Sequence, residues 1–153
     1  MPRTTPQVTH TTQPRDSLCW ATCIKMVIAV IRVKKSENIT PESIAARILY
    51  QDKRDVNVGV FTKISKSALE AYGVGAEYVD SSLKWDDIVS EISKNNPIMV
   101  RIEWPNGGGH IMVIGGYELS GKHRWIYLND PLRPSEKKVY FDAFVSGRYD
   151  SVQ

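Results

Sequence analysis

Cysteine is scarce in this chain: Cys19 and Cys23 are the two among 153 residues. That excludes a disulfide-stapled scaffold, and two thiols four apart on one helix face are poorly disposed for a bridge, so both read as free. No hydrophobic stretch approaches the ~20 residues a membrane span needs. The most apolar run, residues 24–33, is broken by Lys25 and Arg32, and no membrane span is expected. Charge of one sign is not concentrated either: 20 basic and 17 acidic residues leave a net +3, with brief clusters such as Lys34-Lys35 and Lys137-Lys138. A nucleic-acid footprint normally shows a basic stripe interleaved with aromatics, so no nucleic-acid partner is expected. Paired metal ligands are missing, because Cys19 and Cys23 stand far in sequence from the histidines, and neither metal nor other cofactor is expected. Gly107-Gly108-Gly109 lacks the Lys-Ser/Thr ending of a phosphate loop. Residues 1–17 are rich in Thr, Pro and Gln and hold no apolar secretory stretch, which predicts a cytoplasmic protein as written, or one secreted or translocated by a non-classical route.

What is present suffices for one core. With 42% hydrophobic and 24% charged residues, the expectation is a single domain over 1–153: an extended arm at 1–15, a helical lobe at 16–96 and a sheet lobe at 97–153. Residues 18–33 are apolar enough for a buried helix capped by Asp16 or Ser17. Thr40 followed by Pro41 starts a second, with Ile44, Ile48 and Leu49 on its face. A third spans 62–72 and stops at Gly73; a fourth is capped by Ser82, carries Leu83, Ile88 and Ile92, and ends at Asn95-Asn96-Pro97. Beyond Pro97 the pattern becomes β-branched and aromatic in short runs at 98–103, 111–119, 124–128 and 138–141, with a hairpin turn at 120–122. The predicted fold class is α+β, helices first and a mostly antiparallel sheet second, with a groove where they meet.

Four residue types with separate chemical jobs stand in order along this plan. Cys19 falls in the first turn of its helix, where the macrodipole and unpaired backbone N–H groups favour thiolate over thiol. A free cysteine is usually a small buried hydrophobe, and Cys23, one turn deeper, keeps that reading. Gln13, six residues before Cys19, is placed to fold back and donate to an oxyanion forming beside the sulfur, with the Cys19 N–H as second donor. Taken alone it is a polar residue in a biased arm. His110 follows three glycines at the head of an apolar strand, which would hold an imidazole at its end as general base. Asn129 and Asp130 compete to orient the ring; Asp130 is preferred because its charge stabilises an imidazolium, although Asp-Pro is also a plain turn signal. His10, in the arm, and His123, in the hairpin turn, read as exposed. Trp20, beside the thiol, reads as cleft wall, with Gly108 and Gly109 allowing close approach of a substrate backbone.

The segments Gln13-Pro14-Arg15-Asp16-Ser17-Leu18-Cys19-Trp20-Ala21, Gly108-Gly109-His110-Ile111-Met112-Val113 and Tyr127-Leu128-Asn129-Asp130-Pro131 together resemble the papain-like cysteine peptidases. The likeness is greatest to the compact bacterial branch of C39-like peptidases and AvrRpt2-type effector proteases. It implies a two-lobed papain-like fold with Cys19 at the start of the central helix and His110 and Asp130 on the sheet lobe. It further implies thiol-dependent cleavage of a peptide or isopeptide bond in a protein or peptide substrate, with Gln13 completing the oxyanion hole. Ser17-Leu18 before the nucleophile, the absence of a nearby disulfide-forming cysteine and Asp130 in place of an asparagine all depart from the plant and lysosomal members. They point to the bacterial branch and leave subsite specificity open.

Three functions fit these residues. The first is a cysteine protease, with delivery as a bacterial effector or toxin against a host protein target as its extension. A glutamine deamidase or transglutaminase-type acyl transferase would use the same triad. A peptide-binding module that keeps the fold without turnover is the non-enzymatic alternative.

Overall fold

The computed structural model describes residues 8–49, 62–79, 81, 83–103 and 109–149. Along them run α1 (Cys19–Ile31), α2 (Val33–Ser36), α3 (Pro41–Leu49), α4 (Thr62–Ala71), α5 (Trp85–Ser93), β1 (Ile98–Glu103), β2 (Gly109–Ser120), β3 (His123–Asn129), β4 (Lys137–Tyr140) and α6 (Phe141–Val145). The strands form an antiparallel meander in the order β1-β2-β3-β4, so the fold class is α+β as the sequence pattern predicts. Ile102 lies opposite His110, and Val113 opposite Asn129. Gly121 closes the β2–β3 hairpin at a φ of 61°, a left-handed conformation that glycine adopts without strain.

Strand β2 explains why helices cover both sides of the sheet. Its residues alternate between two cores: Ile111 and Val113 pack with Trp20, Ile24 and Ile28 of α1 and with residues of α3 and α4. Met112 and Ile114 pack with Ile88 and Ile92 of α5 and Phe141 and Phe144 of α6. A strand buried on both faces carries a continuous apolar run, which is what residues 111–114 show. Helix α1 is buried nearly all round from Trp20 to Ile28, each large side chain contributing about 1.5–3 kcal/mol, and so forms a rigid post for its own N-terminus.

Several boundaries differ from expectation for identifiable reasons. Leu18, fully buried, occupies the N-cap of α1 with no side-chain cap, so neither Asp16 nor Ser17 fills that place. The turn before it is closed instead by Leu18 N–H donating to the Arg15 carbonyl at 3.2 Å. Thr40 does cap α3, exchanging hydrogen bonds with Ser43. Ser82 lies outside the described residues; α5 begins at Trp85 behind Lys84, again with no side-chain cap. The apolar face of α5, Ile88 and Ile92, packs with Met112 and Ile114 of β2, on the side of the sheet away from α1. The short helix α6 is an addition to the expected elements, driven by burial of Phe141 and Phe144.

Candidate active site

Cys19 is the first residue of α1 and half-buried. At that position its backbone N–H has no acceptor within the helix, because the first intrahelical bond runs from Thr22 N–H to the Leu18 carbonyl at 3.0 Å. Thr22 Oγ1 donates to the same carbonyl at 2.8 Å, which tightens the first turn. One turn further in, Cys23 is fully buried and its Sγ donates to the Ile111 carbonyl at 3.2 Å. Burial pushes that thiol well above its ordinary pKa, and the negative charges of Cys19 and Asp130 add to the shift. The bond from Cys23 to β2 pins the helix against the strand that carries His110.

His110 is the second residue of β2 and 4% exposed. Its Nε2 lies 2.6 Å from Asp130 Oδ1, and the Cys19 side chain interacts with the same ring. Burial by itself would lower the pKa of the ring. The hydrogen bonds to Asp130 and Cys19, with their charges, outweigh it and hold the imidazole up at about 9. Helix tip and strand end, 91 positions apart, are therefore joined through one ring.

Asp130 follows β3 directly and is fully buried. Its Oδ1 also accepts the Leu132 N–H at 2.9 Å, and its Oδ2 accepts the Tyr149 hydroxyl at 2.7 Å. Burial favours the neutral acid, but the bonds from His110, Tyr149 and Leu132 hold the carboxyl below its usual value, so it stays a carboxylate. Burial and Asp130 together push the Tyr149 phenol upward, which keeps it a donor. Asn129, also fully buried, turns the other way: Oδ1 meets His10 Nδ1 at 3.1 Å and Nδ2 donates to Glu136 at 3.0 Å. The orienting contact on the ring is thus made by the acid and not by its neighbour.

The remaining predicted residues are placed less directly. Gln13 Nε2 donates to the carbonyls of Arg15 and Asp16, at 2.8 Å each, so both amide hydrogens tie down the turn before α1; its Oε1 is buried without a partner. Trp20 is fully buried in the core around α1, which corrects its reading as cleft wall: the indole props the helix tip from below. Gly108 lies outside the described residues. Gly109 opens β2 under the Arg101 side chain; a Cβ there would come within 2.5 Å of the guanidinium. His10 is part-buried and engaged, not exposed. Sequence reasoning missed His10 and Tyr149, both of which hold the Asp130 segment through contacts more than a dozen residues away in the chain. Among the described residues no group of three or more His, Cys, Asp or Glu is arranged to hold a metal ion, and no helix is long and apolar enough to cross a membrane.

A model of the Peptidase_C39 like family matches residues 5–152, nearly the whole chain. No curated protein matches it.

Proposed function

The chain belongs to the Peptidase_C39 like family of papain-like cysteine peptidases, and from that premise we propose that it hydrolyses peptide or isopeptide bonds through Cys19, His110 and Asp130. The observation that carries the reading is the ring of His110 held between the thiol of Cys19 and the carboxylate of Asp130. An imidazole whose pKa is held at about 9 is a strong acceptor for the proton of the thiol, and taking it leaves a thiolate to act as nucleophile.

Cys19 Sγ attacks the scissile carbonyl carbon, and the carbonyl oxygen takes up the negative charge. The Cys19 backbone N–H, at the positive end of α1, is one donor to that oxyanion. Gln13 is the second, once one of its amide hydrogens leaves the turn carbonyls. His110 Nδ1 gives its proton to the leaving amine as the C–N bond breaks, which leaves an acyl-thioester on Cys19. His110 then takes a proton from water, whose oxygen attacks the thioester carbonyl; the carboxylic acid departs and the thiolate is restored. Asp130 keeps Nε2 protonated and the ring in place throughout.

Incubation with a peptide library, read by mass spectrometry for cut sites, tests the reading, with Cys19→Ala as control. New termini made by wild type and lost in Cys19→Ala support it. Ammonia release without chain scission assigns glutamine deamidation, a new amide bond assigns acyl transfer, and tight binding with no thiol-dependent product assigns a peptide-binding module.

A further inference from the structure

His10 sits in the arm ahead of α1, and its ring is held at both ends. Nδ1 lies 3.1 Å from Asn129 Oδ1, and Nε2 lies 2.7 Å from the Arg133 carbonyl. The Asn129 amide is not free to turn round, because its Nδ2 donates to the Glu136 carboxylate at 3.0 Å and reversal would set oxygen against oxygen. Both ring nitrogens therefore face acceptors.

The groups it grips bracket Asp130. Asn129 precedes that carboxylate, and the Arg133 carbonyl closes the turn after it, accepting Thr12 Oγ1 at 3.3 Å as well. Gln13 N–H donates to the Pro131 carbonyl at 2.8 Å, between the two. The arm and the Asp130 turn are thus laced together over a few residues, and the arm then leads straight into Cys19. The Glu136 carboxylate acts on this contact through Asn129.

We infer that His10 is a positioning residue: its ring, gripped at both nitrogens, fastens the N-terminal arm to the turn carrying Asp130 and so sets the placement of that carboxylate. The inference rests on the reading of Asp130 as the group that orients His110.

Amide hydrogen exchange in the full chain tests this without turnover. In His10→Gln, protection of the Gln13 amide relative to β2 amides falls about tenfold, because the arm loses both ring contacts to residues 129–133. On a cleaved peptide, kcat of His10→Gln falls about tenfold with KM changed less than about twofold, as loss of orientation predicts. Gln13 protection in His10→Gln equal to that in wild type, or a kcat that does not fall, overturns the inference. The exchange measurement repeated in Cys19→Ala gives the same result whether or not the protein is a peptidase, so failure of that reading is told apart by the absence of any cut peptide.

Discussion

The hydroxyl of Tyr149 donates to Asp130 Oδ2 at 2.7 Å, on the carboxylate oxygen opposite the one that meets His110. Tyr149 comes just after α6, so the packing of Phe141 and Phe144 decides where this hydroxyl falls. Tyr149→Phe removes one of the three donors that keep Asp130 ionised. We expect a stability loss of about 1–2 kcal/mol and a kcat lower by up to about tenfold, the scale of one hydrogen bond to a charged group. Denaturation and steady-state kinetics of the variant check both, and an unchanged kcat would remove Tyr149 from the positioning of Asp130.

Stability should follow a bell in pH, with each limb set by one member of the His110–Asp130 pair. The folded pKa of His110, about 9, lies above the ordinary 6.5, so its contribution is complete below about pH 6.5 and lost as pH rises through about 9. It amounts to roughly 3 kcal/mol, from the size of that shift. Asp130 is shifted downward, so its contribution is present above the ordinary carboxylate range and lost as pH falls through its folded value. Urea unfolding between acid and alkaline pH measures the curve. His110→Gln should flatten the alkaline limb, and a wild-type limb that survives this change would assign it to another group.

The two thiols should differ sharply towards iodoacetamide. Cys23 has no exposure, donates to the Ile111 carbonyl, and has its pKa pushed up by burial, all of which suppress thiolate and access. Cys19 is half-buried at the helix tip beside a ring that holds a proton readily. Peptide mass spectrometry after brief treatment at neutral pH should find the label on Cys19 alone, with His110→Gln slowing it about tenfold or more through loss of the proton acceptor. Equal labelling of both thiols would contradict this arrangement.

Asn129→Ala should act on folding and not on the ring. The substitution leaves the Glu136 carboxylate and His10 without their shared amide in a fully buried place, at a cost of about 1–3 kcal/mol. Thermal unfolding checks the loss. A kcat lowered as much as by Asp130→Ala would mean that Asn129 serves His110 directly.

The strands were legible because each is a short β-branched or aromatic run between turn residues: residues 98–103 coincide with β1, and the other three differ by a few positions. Helix α1 was legible for the opposite reason, an apolar density that admits no exposed face. The order of Cys19, His110 and Asp130 could also be read, since a helix start, a strand start and a strand end are all local signals. The partners of Asp130 could not. Tyr149 and His10 reach the same turn from opposite ends of the described chain, and periodicity carries no information about which side chains meet across a fold. The cap of α1 was misread for a related reason: the demand for it was met by burial of Leu18 and by the amide of Gln13 on the turn carbonyls, neither of which follows cap composition.

Gln13 gives the most discriminating substitution, because its two roles leave different traces. As placed, its amide nitrogen binds the carbonyls of Arg15 and Asp16, so Gln13→Ala should destabilise the turn before α1 by about 1–2 kcal/mol. If one amide hydrogen also swings to an oxyanion in the transition state, the same substitution should lower kcat by about a hundredfold or more at nearly unchanged KM, since the interaction is absent from the ground state. Both losses are expected together. The check is kcat and KM measured below the unfolding range of the variant, alongside its thermal midpoint. A lower midpoint with kcat intact would confine Gln13 to the turn and leave the Cys19 backbone N–H to stabilise the oxyanion without it.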